Sequence, residues 1–204
     1  MKKGIYTLIL VVFAWLQGSY TAQDMEIDDS FVFELGLPNG FVNAPFKNIM
    51  QGVVYVSPMY QYTLRSGLMF GAGVHYSYFN INQFRINQNI SGGMHNGAAF
   101  VKLGHEKFWT PSLATDIGVK AGFAQSAFVT DTLKTMGITY NSKQSAYIEP
   151  NIGICLAADV NASFRLTIGY AFYGFGYKPW DIGINSNLGY SASELNKSTS
   201  YLIV

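Results

Sequence analysis

Apolar and polar side chains alternate with a period of two along most of this chain, the signature of half-buried strands rather than helices. In residues 67–79, Leu68, Phe70, Ala72, Val74, Tyr76 and Tyr78 fall on one face, with Gly71, Gly73, His75 and Ser77 on the other. Residues 112–127 set Ile117, Val119, Ala121 and Phe123 against Asp116, Gly118, Lys120 and Gly122. From residue 146, Ile148, Ile152, Ile154 and Leu156 alternate with Glu149, Asn151, Gly153 and Cys155; in 164–175, Leu166, Ile168, Tyr170 and Phe172 oppose Arg165, Thr167, Gly169 and Ala171. Residues 30–37 (Glu34 and Gly36 on the polar face), 50–62 and 97–108 (Lys102, Gly104 and Glu106 on the polar face) add three more strands, and 198–204 an eighth. Pro58 and Pro150 lie inside these segments and each removes a ladder donor, which predicts bulges or bends there.

The spacing of the segments alternates too. Long polar connections at 38–48, 80–95, 129–145 and 176–197 are separated by tight turns near Arg65–Ser66, Pro111 and Asn161–Ala162. Short turns at one end, long loops at the other, and aromatic girdles at both are the pattern of an antiparallel up-and-down transmembrane barrel. Tyr60, Tyr62, Phe108 and Trp109 form the predicted girdle near the short turns, and Tyr76, Tyr78, Phe172 and Phe175 the one near the loops. No segment of the mature chain has the unbroken apolar stretch a membrane-crossing helix requires, so a membrane reading means strands. A soluble lipocalin-like barrel, with its apolar faces turned inward, is the alternative.

Composition sharpens this. The chain has 204 residues, 49% hydrophobic but only 12% charged, about half the usual charged fraction, and 13 basic against 12 acidic residues exclude an electrostatic nucleic-acid binder. The N-terminus reads Met1-Lys2-Lys3, an apolar run from Ile5 to Leu16, then Gln17, Gly18, Ser19 and the small pair Thr21 and Ala22. That is a secretory signal peptide over residues 1–22, cleaved after Ala22, leaving a barrel domain over 23–204. The single cysteine, Cys155, forms no internal disulfide and faces the interior as a small filler.

On strand count, alternation, loop asymmetry and signal peptide, residues 28–204 resemble the eight-stranded outer-membrane barrels of the OmpA transmembrane domain and OmpX type. The resemblance implies residence in the outer membrane of a Gram-negative bacterium, contact with its lipid, and insertion by the barrel-assembly machinery. That family favours a last strand ending in an aromatic residue, whereas this sequence closes Tyr201-Leu202-Ile203-Val204. A closing strand of about seven residues is short of the usual 9 to 11, which leaves either a stunted strand or a sequence that stops early.

An eight-stranded barrel is only wide enough for its own side chains to fill. Glu34, Glu106, Asp116 and Arg165 are expected low in the interior, near the short turns, and Lys102, Lys120, His75 and Glu149 higher. Buried charges persist when paired, so these eight residues form an expected ion-pair plug, with a narrow channel for ions or small solutes as the alternative. A direct pairing of 97–108 with 112–127 would put Lys102 opposite Lys120 and Glu106 opposite Asp116, which is unfavourable and predicts a register offset by two. Three carboxylates for one arginine in the lower level call for extra donors or a retained proton.

Catalytic signals are weak. Ser91, His95 and Asp131 could meet at the outer rim as a lipid-modifying site, but no nucleophile elbow or zinc-binding helix accompanies them. His105 is expected outward at the lower rim, and Gly71–Gly73 makes room for bulky interior neighbours. No enzyme, metal or cofactor is therefore expected. Tyr177, Trp180, Asn185, Asn187 and Tyr190 in the last loop suit solvation first, and a protein or polysaccharide partner second.

Overall fold

The computed structural model describes residues 28–204 apart from 87, 111, 160 and 161; the expected signal peptide and its cleavage site lie outside the described residues. The chain forms one antiparallel sheet from β1 (Asp28–Gly36), β2 (Pro38–Gly40), β3 (Met50–Thr63), β4 (Leu68–Ile81), β5 (Gly92–Thr110), β6 (Leu113–Thr130), β7 (Asn141–Asp159), β8 (Ala162–Tyr173) and β9 (Ser200–Ile203). Three short helices, α1 (Ala44–Ile49), α2 (Asp131–Thr135) and α3 (Ala192–Leu195), sit in the long connections.

The strand order is β1-β3-β4-β5-β6-β7-β8-β9-β2, so each strand from β3 to β9 lies beside its sequence neighbour. Only Leu37 separates β1 from β2. β1 pairs with β3 and β2 with β9, so the two ends of the sheet meet on this one N-terminal segment and the sheet curls round an interior. Backbone bonds from Leu37 N–H to the Val204 carbonyl (2.9 Å) and from Phe41 N–H to the Ser200 carbonyl (3.0 Å) extend that seam. β2 also crosses close over β3: a Cβ on Gly52 would lie 1.6 Å from the Pro38 carbonyl oxygen, so only glycine fits there.

Apolar faces point outward and polar faces inward, the reverse of a lipocalin-like barrel. Phe33, Leu35, Val74, Val101, Leu103, Phe123, Ile152 and Leu166 are exposed on the outer surface, while Lys102, Asp116, Lys120, His75 and Glu149 are buried. Tyr60, Tyr62, Phe108, Trp109, Tyr76 and Phe172 are exposed as expected of girdles. Phe175 is not, since it packs edge-on to Phe128 with centroids 6.4 Å apart, joining the interior because β8 ends at Tyr173 and the chain turns in.

The tight turn after β3 is closed by Gly67, whose φ of +82° is the left-handed conformation glycine adopts freely, with its N–H bonded to the Leu64 carbonyl at 2.8 Å. The two strand prolines cause no bulge. Pairing lapses beside Pro58 and Pro150, yet the register is the same on either side of each, because the flanking ladder holds the strand in place. The register shifts fall elsewhere, at Gly52/Val54, Phe108/Thr110 and Ala157/Asp159; the last two adjoin the short turns. The expected closing strand over 198–204 is shorter still, four residues in β9.

Candidate functional site

The interior is a column of polar groups with an apolar cap. Nearest the short turns, Arg165 donates to Glu106 (Nη2 to Oε1, 3.2 Å) and lies 3.6 Å from Asp116 Oδ2. Lys102 Nζ donates to the same Asp116 oxygen and to Gln61 Oε1, both at 3.2 Å. This lower group holds two cations and two carboxylates. Above it, Lys120 Nζ sits between Glu34 (2.5 Å) and Glu149 (2.9 Å); the Tyr55 hydroxyl donates to Glu149 Oε2 at 3.2 Å, and the Tyr147 hydroxyl donates to the same oxygen. One lysine thus serves two carboxylates, with two tyrosine hydroxyls supplying further donors to Glu149.

Higher again, His75 Nε2 shares a hydrogen bond with the Tyr173 hydroxyl at 3.0 Å, and Tyr173 is bonded to Tyr201 at 2.5 Å. Asn96 Nδ2 donates to Tyr173 at 2.7 Å and its Oδ1 accepts from Ser126 at 2.9 Å; Ser77 and Tyr201 are bonded at 3.1 Å. The cap follows. Phe46 of α1 packs on Phe79 (4.9 Å between centroids) and on Tyr177 (5.6 Å), with Ile182, Ile184, Leu133 and Leu195 buried beside them.

Two latches hold the last loop in the mouth. Lys143 Nζ bonds Asp181 Oδ2 at 2.6 Å, and Asn43 Nδ2 donates to the carbonyls of Tyr177 (3.3 Å) and Lys197 (2.7 Å). Burial, and then the nearby Asp181 carboxylate, push the Tyr177 hydroxyl well above its ordinary pKa. On the rim, Glu194 accepts hydrogen bonds from the Ser191 hydroxyl and N–H, which hold its carboxyl below the usual range.

All eight expected interior residues, Glu34, His75, Lys102, Glu106, Asp116, Lys120, Glu149 and Arg165, face this column, but their grouping differs from the two expected levels. Lys102 joins the lower acids, and Glu34 joins Lys120 and Glu149. The expected register offset is absent, because Lys102 pairs directly with Lys120 and Glu106 with Asp116. Like charges tolerate this because the long stems diverge: each lysine turns to its own carboxylate, and Arg165 crosses to Glu106.

The rim residues Ser91, His95 and Asp131 are not assembled for catalysis. His95 is exposed on the outer face with Nδ1 bonded to the Tyr76 hydroxyl at 2.8 Å, whereas Asp131 Oδ1 accepts from the backbone N–H of Ser91 (3.0 Å) and Thr132 (2.9 Å). Among the described residues, no three His, Cys, Asp or Glu side chains gather as metal ligands.

The chain is similar to Ail, the attachment invasion locus protein of Yersinia pestis, at 11% identity and a TM-score of 0.45, over 88% of this chain and 96% of that one. No protein-family model and no curated protein sequence matches it.

Sequence reasoning missed the tyrosine storey and the cap. Tyr147, Tyr173 and Tyr201 were legible in principle, since they continue the inward parity of Glu149, Ala171 and Ile203. The cap carried no such signal: Tyr177, Ile182 and Ile184 lie in a connection without strand periodicity, and Tyr177 is among the loop residues expected to be solvated, yet all three are buried.

Proposed function

We propose that this protein is a small outer-membrane β-barrel of a Gram-negative envelope, with β1 and β2 counting as one of eight strands, whose interior is shut and whose working part is its long loops. Its role on this reading is structural or interaction-based. The observation that carries it is the inversion of polarity on strand after strand, with exposed apolar side chains outside and buried charged ones inside. In water that outer surface would be a large solvated apolar band; against lipid it is the stable arrangement. Among the described residues no helix is long and apolar enough to cross a membrane.

Two storeys support a shut interior. The ion pairs lie in the barrel near the short turns, and Phe46, Tyr177 and Ile182 are buried in the apolar cap above them. On the rim, Phe84 is fully exposed and Trp180 and Tyr140 are about half exposed, which suits a protein or polysaccharide partner.

Fractionation and conductance test the two halves of the reading. The processed protein is expected in the outer membrane, resistant to carbonate extraction, with a gel mobility that changes on boiling, and silent in planar bilayers. A steady open level would replace the shut interior with a narrow channel. Recovery in soluble periplasmic extract would overturn the membrane assignment.

A further inference from the structure

The polar column holds more acid than base. Glu34, Glu106, Asp116 and Glu149 face it, and they are paired with three cations, Lys102, Lys120 and Arg165. His75 adds no charge. Its Nε2 shares a hydrogen bond with Tyr173, but its Nδ1 is buried without a partner among the described residues, where an imidazolium would need an acceptor. The described column is therefore one positive charge short, and a buried charge without a counter-charge is costly.

Unpartnered oxygens gather on one wall of this column. On the inner face of β6, β7 and β8, Asp116, Gly153 and Thr167 lie side by side in one row, with Gly118 and Asn151 side by side in the next. A Cβ on Gly153 would stand 2.1 Å from Asp116 Oδ1 and 3.3 Å from Thr167 Oγ1, so both oxygens lean over the glycine. Asn151 Oδ1 lies 3.2 Å from the matching point on Gly118, where the Lys102 stem also passes (Cε, 3.1 Å). All three oxygens are buried, and none has a hydrogen-bond partner among the described residues. Asn151 is 4% exposed, and its Nδ2 donates to the Glu149 carbonyl at 3.2 Å, which leaves Oδ1 as the free end of the amide.

We propose that this wall binds one small monovalent cation, with Asp116 Oδ1, Thr167 Oγ1 and Asn151 Oδ1 as its ligands. Carboxylate, hydroxyl and amide oxygens are the donors that hard cations take. The charge count selects a single positive charge. A divalent ion would leave the column with one positive charge too many, close to Lys102 and Arg165, which lie 3.2 and 3.6 Å from Asp116 Oδ2. A water molecule would satisfy the same three oxygens but leave the extra carboxylate uncompensated. Glycine at 153 is part of the site, because any side chain there would collide with the Asp116 carboxylate. The site belongs to the barrel interior alone and is independent of what the loops bind.

The test compares urea unfolding in detergent in sodium, potassium and choline chloride at equal ionic strength. With sodium or potassium the unfolding equilibrium constant is expected to fall by about tenfold per decade of concentration above the dissociation constant. Choline, too bulky for the site, should give no such trend. Thr167→Val removes one ligand and keeps the side-chain shape, and should move the dependence to about tenfold higher salt. Ser145→Ala removes an unpartnered buried hydroxyl outside the site and should leave the dependence unchanged. Crystals grown with thallium(I) should show an anomalous peak beside Asp116 Oδ1. The same response to all three salts, a sodium dependence untouched by Thr167→Val, or an ordered water only at the thallium position would each overturn the proposal. Gel mobility on boiling reports whether each variant is folded, and the salt comparison on the unaltered chain decides the matter without them.

Discussion

The lower interior and the mouth solve the same problem by opposite means. Near the short turns the barrel is filled by charges whose partners are fixed by strand register, as with Lys120 held between Glu34 and Glu149. At the mouth it is filled by apolar side chains from α1, α2 and the last loop, whose contacts are non-directional. The first kind of filling fails when a single partner is removed, because a charge is left buried; the second fails in proportion to the volume lost.

The sharpest break of this contrast is Lys120→Met. It strands Glu34 and Glu149 together and is expected to destabilise the folded barrel by about 3–5 kcal/mol, read from urea unfolding in detergent. Adding Glu149→Gln should recover part of that loss, whereas a change of packing volume nearby should not. At the mouth, Ile182→Ala is expected to cost about 2–4 kcal/mol in the same assay, and Ile182→Leu to cost much less. If the polar column responded to volume and the cap to charge, the division would be wrong.

Lys143→Met tests the border between the two regimes. It leaves Asp181 with the Lys178 N–H (2.9 Å) as its remaining bonded donor, and should cost about 1–3 kcal/mol, with faster proteolysis of the loop around Tyr177. The smallest effect is at Glu194, partly exposed on the rim. Its carboxyl is held low by the Ser191 hydrogen bonds, so its contribution to the order of α3 is present above the ordinary carboxylate range. That contribution is lost as pH falls through the lowered value. Exchange of the Ser191 amide should quicken in that acid window, and Glu194→Gln should flatten the dependence.

The same contrast explains how much could be read in advance. A period of two assigns each strand residue a face, so the inward positions of Glu34, Lys102, Asp116 and Arg165 were legible. Their partners were not, because a lysine stem spans more than one ladder step: Lys102 and Lys120 face each other across β5 and β6 yet reach different acids. The proline positions misled for a related reason, since a lost donor at Pro58 or Pro150 is local, whereas register is held by the whole ladder. The cap was not legible, because its loops obey no repeat and are drawn in only once the barrel mouth exists to receive them.

The seam at Leu37 bears on how the molecule comes into being. Its two sides are contributed by the first described strands and by the last, so the contact that draws the sheet round on itself joins residues separated by nearly the whole length of the domain. Every other wall pairs sequence neighbours, but this join needs the first and last described strands in place together. Such distant contacts are the slow ones in folding, which makes the final stitch the step at which an assembly helper, or a competing partner, has the most time to act.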